Sequence, residues 1–221
     1  MSLRLGIAFL LLFLLAAVLS RFLTPFEFDQ VRSVDKVFGV LTAPNPLNIF
    51  GTTSSGFDVF SRVLLATETA LVVIVLSVAL ASLIGISLGV VAGYAGGVWD
   101  RVLSSVAEAL SAMPALLIAL VVTFSLSNGT GVISSAIAAA VIAEAVTFSS
   151  RYFRLVRVEV IAVSQSRFVE AARVSGVAWW RLLFVHVLPN SLKSAPVVMT
   201  QNAADAVLTL AGLGFLGVGI G

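Results

Sequence analysis

The 221-residue chain has no cysteine, which excludes disulfides and thiolate metal sites. It has one histidine, His186, and its acids are scattered, so no ligand set for a structural metal is visible. Charge is scarce as well. Only 11% of residues are Asp, Glu, Lys or Arg, against roughly 25% in soluble domains. Hydrophobic residues make up 59%, too many for a core surrounded by water. The arginines gather in one segment instead of lining an aromatic-interleaved face, which argues against nucleic acid as a partner. No G-x-x-x-x-G-K-[ST] phosphate loop occurs, so ATP is not bound by that route. No His-Glu metal motif and no Ser/Lys or Asp/Asp pair stands at a spacing suited to catalysis, and an enzyme is not expected.

What the chain does have is long apolar runs. About 20 mostly apolar residues are enough to cross a bilayer. Residues 3–23 meet this, with Arg4 at the near end and Arg21 at the far end. The run exceeds the roughly 7–15 apolar residues of a signal peptide, and a retained first span is expected. Residues 24–62 differ: Pro25, Pro44, Pro46, Gly51 and Gly56 punctuate them, and they carry acids at Glu27, Asp29, Asp35 and Asp58. This reads as an extramembrane segment with a short helix near 29–38. A second span is expected at 69–94, followed by a tight turn at Tyr94-Ala95-Gly96-Gly97. Its Gly85, Gly89 and Gly93 recur every four residues and form one face that lets another helix approach closely. A third span, 102–126, contains Pro114, which predicts a kink. A short loop at 127–131 leads to a fourth span at 132–150, interrupted by Glu144. The fifth, near 191–210, carries Lys193, Gln201, Asn202 and Asp205, and the glycine-rich tail after it is too short to cross alone. The expected organisation is a transmembrane helix at 1–23, an extracytoplasmic segment at 24–66 and a helical membrane core at 67–221.

Between the fourth and fifth spans lies the polar segment 151–181. It holds Arg151, Arg154, Arg157, Arg167, Arg173 and Arg181 against Glu159 and Glu170. Short arginine-rich loops stay in the cytoplasm. Counting back puts the N-terminus inside and the segment after the first span outside. Two short helices are expected, joined near 164–166. Ser166 would cap the second, and Glu170 in its first turn would suit the positive end of the helix dipole. Ala171 and Ala172 give that helix a small face able to drop into a groove on another protein. Gly176 fits a left-handed C-terminal turn, and Pro189 fits the first turn of the next span. The plainer alternative is an amphipathic loop whose arginines meet anionic lipid. Trp179 and Trp180 read as interfacial anchors, and His186 as a structural hinge residue.

Charges inside spans are expensive and often functional. Glu108 is expected to pair with an arginine of the polar segment. Glu144, Asp205 and Asn202 are candidates for a polar pathway; helix–helix hydrogen bonding is the alternative.

The polar segment also carries a family likeness. Glu170-Ala171-Ala172, then Gly176, nine residues, and His186-Val187-Leu188-Pro189 resembles the EAA loop of ABC-importer permeases. The ending His186-Val187-Leu188-Pro189-Asn190 is similar to the H-I-L-P-N of peptide and nickel importer permeases. Gly51-Thr52, Gly56, Asp58-Val59 and Ser61-Arg62 resemble their G-T-D-x-x-G-R-D-V-x-S-R, with Thr53 and Phe57 where that family has Asp and Arg. Near the end, residues 213–219 (LGFLGVG) are similar to L-S-F-L-G-L-G. The resemblance implies an all-α integral membrane protein of the type I ABC-importer kind, a helix bundle with five full spans visible and the family's last span missing from this sequence. It implies a second permease subunit, two ATPase subunits and an extracytoplasmic solute-binding protein as partners, in the cytoplasmic membrane. ATP and magnesium would sit on the ATPase, with no cofactor on this chain. Glu170, Ala171, Ala172, Gly176, His186, Leu188 and Pro189 would form the ATPase-coupling surface. The cargo would be a dipeptide, an oligopeptide or nickel. The rival reading is an ATP-independent channel or secondary transporter working through Glu108, Glu144 and Asp205.

Overall fold

The computed structural model describes residues 2–31, 38–127 and 133–216. Among the described residues the regular elements are helices and none is a strand; the stretches 24–31 and 38–58 are turns and irregular backbone, where one isolated bridge pairs Thr52 with Asp58. The helices are α1 (Ser2–Leu23), α2 (Val59–Ala95), α3 (Gly97–Ala112), α4 (Ala115–Ser127), α5 (Ile133–Ser164), α6 (Arg167–Val174) and α7 (Trp179–Arg181). A π-helical turn, Leu182–Val187, follows, then α8 (Leu188–Ser191) and α9 (Ala195–Phe215). The chain divides into two compact units, Met1–Val72 and Val73–Gly221, and α2 contributes to both.

In the first unit, the far end of α1 is tied to α2. Arg21 donates from Nε to Glu68 Oε2 at 3.0 Å and from Nη2 to Oε1 at 2.8 Å. The buried Ser20 hydroxyl also contacts Glu68, at 3.3 Å. The start of α2 is set by Asp58, which is buried. Its Oδ2 accepts from the Ser61 N–H at 2.8 Å, satisfying an otherwise orphaned donor of the first turn. Its Oδ1 accepts from Asn48 Nδ2 at 2.9 Å and anchors the preceding loop. The helix therefore begins at Val59, inside the segment that composition assigned to the extramembrane region. Hydropathy marks where a chain becomes apolar; a cap marks where it becomes helical. Most of the short helix expected near 29–38 lies outside the described residues.

The second unit is organised around α5. The three glycines of α2 lie against its backbone. A Cβ at Gly85 would stand 2.4 Å from the Ser149 carbonyl oxygen, at Gly89 2.8 Å from that of Phe153, and at Gly93 2.8 Å from that of Arg157. Each glycine and each carbonyl is four residues from the last, so the two helices run parallel in close register. This is the small-residue approach expected from the spacing. Below it, Val156 and Val160 of α5, Val169 of α6 and Leu182, Leu183 and Val187 of the π turn form one buried cluster.

Three expectations need correction. Residues 151–164 are not loop: α5 runs unbroken for 32 residues through Arg151, Arg154 and Arg157. Arginine is a good helix former, and nothing in the stretch stops the helix before Gln165. The third span is not a kinked helix but two helices, α3 and α4, at about 100° to each other. Met113 before the proline is extended, φ −92° and ψ 141°, as the clash with a proline ring demands, and α4 restarts with bonds from Leu117 and Ile118 N–H to the Pro114 carbonyl. The last described helix starts at Ala195, not 191, after a 57° bend from the run that ends at Ser191. The expected loop at 127–131 and the tail after Leu216 fall, except for Ser127, outside the described residues.

Candidate functional site

The knob expected between the fourth and fifth spans is α6 and the turn after it. Its hydroxyl cap does not form: Ser166 sits at the N-cap position, but its Oγ turns back to the Val163 carbonyl. The Ser166 carbonyl instead accepts from Val169 and Glu170 N–H. Val169 is buried and holds the helix against α5, while Glu170 and Ala171 are exposed and Ala172 is half-buried. The helix ends in a Schellman turn. Gly176 N–H bonds the Arg173 carbonyl and Val177 N–H the Ala172 carbonyl, with Gly176 at φ 76°. Glycine reaches that conformation without strain. Val177 and Ala172 then join the buried cluster under the knob.

Pro189 is not at the start of a span. It lies in a continuous helical run from Trp179 to Ser191, directly after the π turn. A proline ring clashes with the carbonyl four residues back, here that of Val185, and the wider π turn relieves that crowding. Asn190 Nδ2 donates to the His186 carbonyl at 2.7 Å, one turn back in the same run. His186 and Leu188 are half-buried and Pro189 exposed. They follow the knob on the next element. Trp179 and Trp180 are 65% and 53% exposed, as an anchoring role requires.

The polar residues of the apolar spans meet between α5 and α9. Glu144 is 1% exposed, and neither carboxyl oxygen has a hydrogen-bond partner among the described residues. Asp205 and Thr209 of α9 are its polar neighbours. Asn202, also 1% exposed, accepts from the Tyr152 hydroxyl at 2.9 Å, while its Nδ2 has no partner among the described residues. Asp205 forms an ion pair with Arg151. Glu108 is exposed and makes no ion pair among the described residues, although its charge reaches Arg157. The partner of Arg157 is Asp100: the guanidinium grips both carboxylate oxygens, the Nη2 bond measuring 2.8 Å. Among the described residues no group of three or more His, Asp or Glu is placed to hold a metal.

The family model for the binding-protein-dependent transport system inner membrane component matches residues 85–221. This chain belongs to that family. The match covers the glycine face, the knob, the π turn and α9. Among curated relatives, the glutathione transport system permease protein GsiD of Pectobacterium atrosepticum is 31% identical over 96% of this chain and 67% of its own length. The dipeptide transport system permease protein DppC of Haemophilus influenzae is 32% identical over 97% of this chain and 71% of its own length. The GsiD of Escherichia coli O157:H7 is 32% identical over 96% of this chain and 66% of its own length. The chain thus spans about two thirds of the length of these relatives.

For an inner membrane component, the residues that sequence reasoning passed over are the partners: Tyr152 for Asn202, Arg151 for Asp205 and Asp100 for Arg157. Each bond joins residues 50 to 57 positions apart. The available signal was charge parity: an acid within a span calls for a cation at matching depth.

Proposed function

We propose that this chain is the permease subunit of an ATP-driven importer that carries short peptides across the cytoplasmic membrane. The observation that carries the reading is the α6 knob. It presents Glu170 and the small Ala171 to solvent, its end is fixed by a Schellman turn, and its base, Ala172 included, is packed into the cluster it shares with the longest helix of the second unit. Such a knob suits a groove on a soluble ATPase. The names of the relatives, dipeptide and glutathione transport permeases, favour a peptide over nickel. The assembly we infer contains a second permease, two ATPases binding ATP and magnesium, and an external solute-binding protein. Five spans are assigned: α1, α2, the bent α3–α4 pair, the first half of α5, and α9. The N-terminus and α6 lie in the cytoplasm.

The coupling follows from rigidity. At about 1.5 Å per residue α5 is roughly 48 Å long, against a hydrocarbon core of about 30 Å. Its last turns therefore stand clear of the bilayer and serve as a lever arm. ATP closes the ATPase pair, α6 moves with its groove, and α5 carries the shift into the spans, which rock between inward-open and outward-open states. Coupling requires α6 to interact differently in the two states.

The test is an affinity pull-down of the tagged chain from its native membrane. Recovery of an ATPase and a second permease is expected, with Glu170→Lys abolishing peptide uptake while membrane insertion is retained. Normal uptake by Glu170→Lys would remove α6 from the mechanism. A chain recovered alone under mild detergent would favour a channel or carrier.

A further inference from the structure

A cleft of about 190 Å³ opens between the end of α3 and the middle of α5. Its polar wall is Ser111 of α3 with Thr147, Ser150, Arg151 and Arg154 of α5, and Phe148 lies beside them. No carboxylate is among its lining residues, so the cleft favours an anion. Arg151 is half committed: it pairs with Asp205 and its guanidinium lies 4.9 Å from the centre of the Phe148 ring. Arg154 is exposed and has no ion pair or hydrogen bond among the described residues. Planar guanidinium forks match carboxylate and phosphate oxygens equally well.

The hydroxyls separate these ligands. Ser111, Thr147 and Ser150 each donate their one proton to a helix carbonyl, those of Ala107, Ala143 and Thr147. What they offer to the cleft is lone pairs, which seek N–H donors. A phosphate ester has none. A peptide C-terminus has both parts, a carboxylate for the guanidiniums and an amide N–H for the hydroxyl oxygens. Size agrees: sites for whole drug-sized ligands run to roughly 300–1,000 Å³, so this cleft holds an end of a solute. It also lies on a route. Glu144, Thr147, Arg151 and Arg154 step by three, four and three residues along one face of α5, from the buried acid to the basic mouth.

We propose that this cleft is a subsite for the C-terminal carboxylate of a short peptide, with Arg154 as its anchor and Arg151 oriented by Asp205. The proposal rests on the importer reading above and gives its cargo a point of contact in this chain.

The test uses the complex recovered by the pull-down, placed in phosphatidylcholine nanodiscs and titrated by saturation-transfer NMR, which detects millimolar binding. The probes are L-alanyl-L-alanine and its C-terminal amide. Saturable transfer to dialanine is expected, at least tenfold weaker for the amide. Arg154→Gln should weaken dialanine at least tenfold and Arg154→Lys should be intermediate. Equal titration of acid and amide, or an unchanged titration in Arg154→Gln, overturns the subsite. So does an assembled complex that dialanine does not saturate; phosphatidylglycerol retained by the wild type but not by Arg154→Gln would then assign the cleft to lipid. Failure of the importer reading shows separately, as a tagged chain that brings down no ATPase.

Discussion

At Gly89 the fold has no room for a side chain. A Cβ there would stand 2.8 Å from the Phe153 carbonyl oxygen and 3.1 Å from the Val156 Cβ, and neither neighbour can step aside without moving α5. Gly89→Leu should force the helices apart and destabilise the protein by about 1–3 kcal/mol. Thermal melts in detergent should show it, with Gly214→Ala as control, because a Cβ at Gly214 meets nothing within 4 Å. This contact was legible in the sequence, since a period of four glycines has few other uses in a membrane helix. The Asp100–Arg157 pair was not, because 57 residues separate its members and no local pattern joins them. The Asp100 side chain is 24% exposed and that of Arg157 29%, so screening keeps the pair's worth near the surface value of about 1 kcal/mol or less. Asp100→Asn and Arg157→Gln should each lower the melting temperature slightly. The double mutant should cost less than the sum of the two, and strict additivity would show that the pair is not coupled.

Among the elements, α6 shows how much a short helix depends on its ends. Eight residues do not hold a helix by themselves; Val169 underneath and the Schellman turn after it do. Gly176 has open space around its Cα yet a φ of 76°. Gly176→Ala should therefore cost about 1–2 kcal/mol through backbone strain alone. If α6 docks the ATPase, the same change should reduce the ATPase recovered with the tagged chain, while Ser175→Ala, outside the strained position, should not. The glycine turn was readable from sequence, and so was the acid in the first turn. The extent of α5 was not. Arginine marks cytoplasmic exposure on one scale and helix on another, and both hold for Arg151, Arg154 and Arg157. Hydropathy ends the apolar span near 150, whereas the helix continues to Ser164. Pro114 was legible as a disturbance but not in kind, because the same residue permits a kink when its neighbours repair the ladder and a break when Met113 turns extended.

For the whole molecule, composition settled the membrane and the motifs settled the family, but topology rests on the direction of each crossing. Among the described residues two helices are long and apolar enough to cross by themselves, α1 and α2, and two bent pairs meet the same test only together. The arginine-bearing end of α5 belongs in the cytoplasm by the positive-inside rule, and the glycine face makes α2 parallel to α5, so α2 must also run inward. In the proposed topology the segment between α1 and α2 lies outside and the N-terminus inside. The absence of cysteine makes this chain well suited to a test, since any single cysteine is labelled against no background. Arg4→Cys, Ser54→Cys and Gln165→Cys each replace an exposed residue. A membrane-impermeant maleimide applied to intact cells, with an outer membrane permeabilised where one is present, should label Ser54→Cys alone. Opening the cytoplasmic membrane should add the other two. Labelling of Gln165→Cys from outside would place α6 beyond reach of any cytoplasmic ATPase and overturn the coupling role. Labelling of Arg4→Cys alongside Ser54→Cys would mean that α1 does not cross.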